Sequence, residues 1–295
     1  MVLRACPGGG IGRRAGFRCL WPQGRGSSSL LLGTIGAIHE NDTISANDDN
    51  GTPGTNDDDV LVGARRAVGS TKDRRVSLTI NGASILLHQG DLPENAIAAD
   101  AEAVAIDTET TGLHPHRDRL CLVQLTDGRG TIHLVHFPPA FRRDAGRGPY
   151  PAPRLQALIA DPAITKLFHF ARFDVAMLET HLGVVCQPVY CTKIASKLVR
   201  TYTDRHGLKD LCREMLGVEL SKEQQSSDWG AASLSNEQLK YAAADVIYLH
   251  RLRAKLDEML TREGRSELAA ACFSFLPTRA RLDVGGWAEV DVLAH

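Results

Sequence analysis

The sequence predicts an α/β domain in which helices cover a mixed β-sheet and the C-terminal portion is helical. Strand-like runs cluster between residues 76 and 137, tight-turn pairs punctuate them, and helical periodicity takes over after residue 153 with one more strand inserted. VSLTI and SILLHQG, within residues 76–90, alternate around Asn81-Gly82, a pair suited to a two-residue hairpin turn. AVAID, LCLVQLT and TIHLVHF follow as three more strands of a meander, the last two joined across Asp127-Gly128. A Pro- and Gly-rich loop over 137–153 leads to a short helix at 155–160, the strand ITKLFHF and a helix over 173–182. Ser235 and Gln238 stand in capping-box spacing ahead of a long amphipathic helix whose apolar set is Leu239, Ala242, Val246, Leu249 and Leu252. One more helix, 266–275, precedes a tail expected to fold back through Trp287, Val290 and Val292.

Composition bounds the function. The 295 residues carry a net charge of −1, so a nucleic-acid partner would be held by local basic patches or by metals rather than by overall charge. Seven cysteines at 6, 19, 121, 186, 191, 212 and 272 form no CxxC pair and leave an odd count, as expected of reduced thiols in a cytoplasmic protein. No apolar run approaches the roughly 18 residues needed to span a bilayer, so no membrane association is expected.

The first 75 residues have a different character. Up to His39 there are five arginines and no acidic residue; from Glu40 to Asp59 the sign reverses with END, NDDN and NDDD. Such segments bury too little apolar surface to offset their ordering entropy and are expected to be disordered. The opening has the composition of a transit peptide without a convincing amphipathic helix. It more closely resembles the peptide made when a transfer-RNA gene upstream of a reading frame is translated. The functional chain is therefore expected to begin near Arg75, as a folded domain over 76–265 followed by a helix and tail over 266–295.

The chemistry concentrates at AVAIDTETTGL, residues 103–113. Residues i and i+2 of a strand share a face, so Asp107 and Glu109 lie side by side. At roughly 5 Å and an effective dielectric of about 20 they repel by about 3 kcal/mol. A shared proton, a basic partner or a divalent metal must neutralise them. ARFDVAML places Asp174 in the first turn of the next helix, where the helix dipole alone would favour a carboxylate. Tyr241 and Asp245, four apart on the late helix, share a face beside its apolar stripe.

Taken in order, D-x-E on a strand, an Asp after a later strand and Y-x-x-x-D on a helix resemble the three exonuclease motifs of the DEDD superfamily, and ribonuclease D most of all. The likeness spans residues 76–265 and includes HGLKDLCREMLG, SSDWG and LSNEQLKYAAADVIYL. The histidine subclass would need His at 240, which is Lys240, so the tyrosine subclass is indicated. The resemblance implies a ribonuclease H-like fold and two divalent ions, Mg²⁺ or Mn²⁺, held by Asp107, Glu109, Asp174 and Asp245. Oxygen ligands of this kind suit those ions, and Tyr241 would orient the attacking water. It also implies that the backbone at Thr110 and the side chain of Leu113 hold the terminal nucleotide. The family often carries an amide where this chain has Phe170, preceded by His169, which leaves Phe170 to stack on a base instead. Lys193, Lys197 and Arg200 recur at i, i+4 and i+7, and are expected to track the phosphates of the strand.

The expected activity is a metal-dependent 3′→5′ exoribonuclease acting on single-stranded 3′ ends in tRNA or structured-RNA processing and releasing nucleoside 5′-monophosphates. DTETTGL also resembles proofreading exonuclease domains, so action on DNA, or on both, is the alternative. A silent nucleic-acid-binding module would be marked by loss of a metal carboxylate, and all four are present. Longer ribonuclease D proteins carry helical RNA-binding domains after the nuclease, whereas about 30 residues follow Arg265 here, as in short single-domain bacterial forms. No protein partner is implied, and self-association would be one way to enlarge the binding surface.

Overall fold

Asn81 and Gly82 take positive φ angles of 48° and 84° and so turn β1 (Arg74–Ile80) back onto β2 (Ala83–Gln89) as an antiparallel hairpin. The computed structural model describes residues 74–141, 149–221, 224 and 226–294. The N-terminal extension expected to be disordered lies, up to residue 73, outside the described residues.

Three strands follow: β3 (Ala103–Thr110), β4 (Leu120–Thr126) and β5 (Thr131–His136). They pair antiparallel in succession, but the meander does not extend to the first hairpin, because β2 pairs parallel with β5. The 13 residues between Gln89 and Ala103 carry the chain across the sheet so that β3 becomes a central strand. The physical reason is burial: Val104, Ala105 and Ile106 are fully enclosed, and a continuous apolar run belongs where both faces are covered.

Helices link the remaining strands. α1 (Pro153–Ala160) leads to β6 (Thr165–Phe168), which lies parallel to β3, and α2 (Ala171–Leu182) leads to β7 (Val189–Cys191), parallel to β6. The seven strands take the order β1-β2-β5-β4-β3-β6-β7. Three-residue β7 was not anticipated, being too short to show a period.

α3 (Thr192–Val199) and α4 (Leu208–Leu211), which runs on as a π-helical turn over Cys212–Leu216, precede the capped helix. Both halves of the Ser235–Gln238 capping box form at the start of α5 (Asn236–Ile247). The expected long helix breaks at Tyr248 (φ −99°, ψ −9°) and resumes as α6 (Leu249–Arg262). Tyr248 is buried there, its hydroxyl accepting a hydrogen bond from Asn81 Nδ2. Leu239, Ala242, Val246, Leu249 and Leu252 are all buried, as their spacing predicts. α5 packs against β1 to β5, whereas α2 packs against β3, β4, β6 and β7.

α7 (Ser266–Leu282) runs well past Phe275. The tail beyond it is not held by the apolar residues expected to do so, since Trp287, Val290 and Val292 are 48%, 51% and 42% exposed. Polar contacts hold it instead. Arg172 and Arg279 both pair with Asp283 and donate to the carbonyl of Ala288. Among the described residues five cysteines are free thiols and no helix is long and apolar enough to cross a membrane.

Candidate active site

β3, α2 and α5 bring the four carboxylates together. Asp107 and Glu109 leave one face of β3, and α5 lays Asp245 against them, so that these three each offer an oxygen within 4.8 Å of the other two. Asp174, in the first turn of α2, stands just outside that trio. Its Oδ1 accepts a hydrogen bond from Thr108 Oγ1 at 2.7 Å, and its charge reaches all three of the others. Gln124, opposite Asp107 in the register of β4, donates Nε2 to Asp107 Oδ2 at 3.0 Å.

Burial makes this crowding costly. It holds the Asp107 carboxyl well above the usual range, with further push from Asp174, Asp245 and Glu109. Burial, then Asp245 and Asp174, raises Glu109 to about 9. Burial raises Asp174 to about 7 against the pull of Thr108, and burial with the charge of Asp174 raises Asp245 to about 7. Among the described residues no lysine or arginine pairs with any of the four. Of the three neutralising devices, a basic partner is thus excluded within the described residues. A shared proton and a divalent cation remain, and a set of carboxylate oxygens fits Mg²⁺ or Mn²⁺ as the ion that displaces the protons. The four together fit a two-metal centre.

Asp107, Glu109 and Asp245 line a cavity of about 350 Å³ that Tyr241, His169 and Lys209 also face. Burial, followed by Asp245, Glu109 and Asp107, pushes the Tyr241 phenol above its ordinary range, so it keeps its proton. The ring of Trp229, from SSDWG, lies 6.1 Å from that of Tyr241. His169 Nδ1 meets Thr192 Oγ1 at 2.9 Å, and burial, with the charge of Lys193, lowers its pKa to about 3.

The remaining expected contacts separate into groups. Thr110, whose Oγ1 donates to the carbonyl of Gly112 at 2.6 Å, and Leu113, 76% exposed, follow Glu109 where β3 ends. Phe170, Lys193 and Lys197 line a second groove. Arg200 belongs to neither and corrects the expected basic stripe. The backbone leaves helical geometry there (φ −106°, ψ 57°), and the side chain turns inward. It pairs with Glu214 and donates to Ser196 Oγ and the carbonyl of Arg205.

Sequence reasoning missed Thr108, Gln124 and Lys209. Gln124 had a signal, as the lone amide in an otherwise apolar strand; Lys209 stands in the HGLKDLCREMLG stretch without having been singled out.

A family profile described as 3′-5′ exonuclease matches residues 87–261. Ribonuclease D of Acidiphilium cryptum is 34% identical over 167 residues, covering 57% of this chain and 40% of that protein. The chain spans about two fifths of the length of the curated relatives it matches. Among solved structures, Brucella melitensis NrnC with bound Mg²⁺ is 54% identical with a TM-score of 0.65, covering 72% of this chain and 98% of that one. The same protein has been solved bound to pGG, with a TM-score of 0.66 at 54% identity, covering 72% of this chain and 99% of that one. Escherichia coli RNase D, 29% identical, superposes with a TM-score of 0.52, covering 61% of this chain and 45% of that one. The mixed sheet is accordingly of the ribonuclease H-like kind. With its motif carboxylates brought to one place, the chain belongs to the 3′-5′ exonuclease family, in the ribonuclease D-like group of DEDD nucleases.

Proposed function

We propose that the chain is a metal-dependent 3′→5′ exoribonuclease that removes nucleoside 5′-monophosphates from single-stranded RNA ends in the cytoplasm. The observation that carries this reading is the cluster of Asp107, Glu109 and Asp245, part-buried beside the buried Asp174 with no cationic partner among the described residues, and facing Tyr241 across one cavity. Divalent cations held by Asp107, Glu109, Asp174 and Asp245 would supply charge stabilisation for the attacking and leaving oxygens of an in-line displacement at phosphorus.

The protein's own groups do the rest. Tyr241 keeps its phenolic proton at neutral pH and orients the attacking water rather than acting as its base. Thr108 and Gln124 fix the orientation of Asp174 and Asp107, as hydrogen bonds to ligating carboxylates do elsewhere. Thr110 and Leu113, following Glu109, hold the terminal nucleotide. Water adds to phosphorus, the bond to the 3′ oxygen breaks, and the shortened chain keeps that oxygen as a hydroxyl.

The likeness to a nuclease solved with pGG, and a cavity of about 350 Å³, support substrates with ends as short as two nucleotides. The test is a time course on 5′-labelled RNA with Mg²⁺ or Mn²⁺, with matched DNA as competitor and Asp245→Asn and EDTA as controls. A ladder shortening from the 3′ end, absent in both controls, is expected. Metal-dependent shortening of DNA in preference to RNA would replace the exoribonuclease reading, and binding without turnover would refute it.

A further inference from the structure

Phe170 has a backbone that an aromatic residue rarely adopts. It caps α2 in the left-handed region (φ 67°, ψ 44°), where glycine or asparagine would sit with less strain, and its ring is left about half exposed. Its neighbour His169 faces the cavity of the carboxylates, whereas Phe170 faces a separate groove of about 360 Å³ walled by Ile194, Phe275 and Leu276. Lys193 Nζ lies 4.0 Å from the centroid of the Phe170 ring.

The charges of the groove are unbalanced. Arg172 and Arg279 share the one carboxylate of Asp283, and Lys193 and Lys197 have no acidic partner among the described residues. Burial and the neighbouring charge of Lys197 together depress the Lys193 pKa. A pair of repelling ammonium groups beside a half-exposed aromatic ring suits a ligand that brings a flat apolar face and an anion together, which a nucleotide does.

We propose that Phe170, Lys193 and Lys197 form a second nucleotide subsite beside the cleavage cavity, in which a base of the RNA stacks on Phe170 and its phosphate lies against the two lysines. The inference rests on the exonuclease reading and deepens it. The strained backbone at Phe170 then has a use, since it turns the ring out of the core at the residue following His169.

The test places 2-aminopurine in turn at each position of RNAs two to five nucleotides long and titrates them, with Mg²⁺, into the Asp245→Asn protein. Quenching at one position is expected. Adding Phe170→Asn, which tolerates the left-handed backbone, should abolish that quenching and raise Kd roughly tenfold; Phe170→Trp should preserve both. Lys193→Gln with Lys197→Gln should weaken binding and lower the salt dependence by about one to two counterions. Unchanged quenching and affinity in Phe170→Asn would overturn the subsite. So would unchanged affinity with a smaller mass by light scattering, which would make the groove a contact between copies of the chain. Wild-type protein that shortens these RNAs while Phe170→Asn binds them normally refutes the subsite alone. Wild-type protein that shortens none refutes the exonuclease reading and this inference with it.

Discussion

Arg200 and Lys166 are as deeply buried as any charged side chain here, at 1% and 0% exposure, yet each is satisfied from within the fold. Lys166 donates to the carbonyls of Asp161 and Gln187, both at 2.6 Å, while Arg200 pairs with Glu214. The four carboxylates around Asp107 are treated in the opposite way. They crowd against one another, Asp174 buried and the other three part-buried, with hydrogen bonds from Thr108 and Gln124 but no counter-charge among the described residues. The difference teaches how to tell a structural buried charge from a functional one. A structural charge is completed by the chain, whereas a functional one is left for a ligand to complete.

The sharpest way to break this comparison is to remove one charge from each region. Asp245→Asn should lower exonuclease turnover by on the order of a thousandfold, with thermal stability in EDTA unchanged or higher because a repulsion is relieved. A thermal scan and a single-turnover assay check both halves. Arg200→Ala should do the reverse, costing about 2–3 kcal/mol of stability by removing a buried guanidinium that pairs with Glu214 and donates to Ser196 and the carbonyl of Arg205, while kcat of the folded protein holds. Urea titration measures the loss. If Arg200→Ala stayed stable but lost RNA affinity, Arg200 would belong to the binding surface after all.

Tyr241→Phe removes only a hydroxyl from the cavity. It should cut kcat by about 10- to 100-fold through loss of water positioning, with little change in KM or in melting temperature. The smallest effect is a pH dependence. Folded pKa values of about 7 for Asp174 and Asp245 and about 9 for Glu109 lie above ordinary carboxylate values. Between about pH 4 and pH 9 the folded protein therefore binds more protons than the unfolded chain, and its stability falls as pH rises. In EDTA the melting temperature should drop by about 5 °C or more across that window. Mn²⁺ should flatten the slope, and a slope indifferent to Mn²⁺ would argue against a metal centre.

How much of this was legible depended on whether the signal was local. The Asn81-Gly82 turn, the α5 cap and the buried stripe from Leu239 to Leu252 each follow from a few adjacent residues, and each is present. The basic stripe failed at Arg200 because helical spacing predicts a shared face only while the helix lasts, and this one ends at Val199. The tail failed for a related reason. Its apolar residues say nothing about Arg172 and Arg279, which hold it through Asp283 and through carbonyls.

The sequence by itself determined which residues carry the chemistry, because the period of a strand puts Asp107 beside Glu109 and the pitch of a helix puts Tyr241 beside Asp245. Only the tertiary structure decided that α5 sets Asp245 against the β3 pair and that α2 sets Asp174 just outside it. It also decided that Gln124 and Thr108 steer the cluster, and that Phe170 faces a groove with two lysines that have no acidic partner among the described residues. Contacts between residues far apart in the chain depend on register and crossover, here the parallel pairing of β2 with β5, and no local period encodes them.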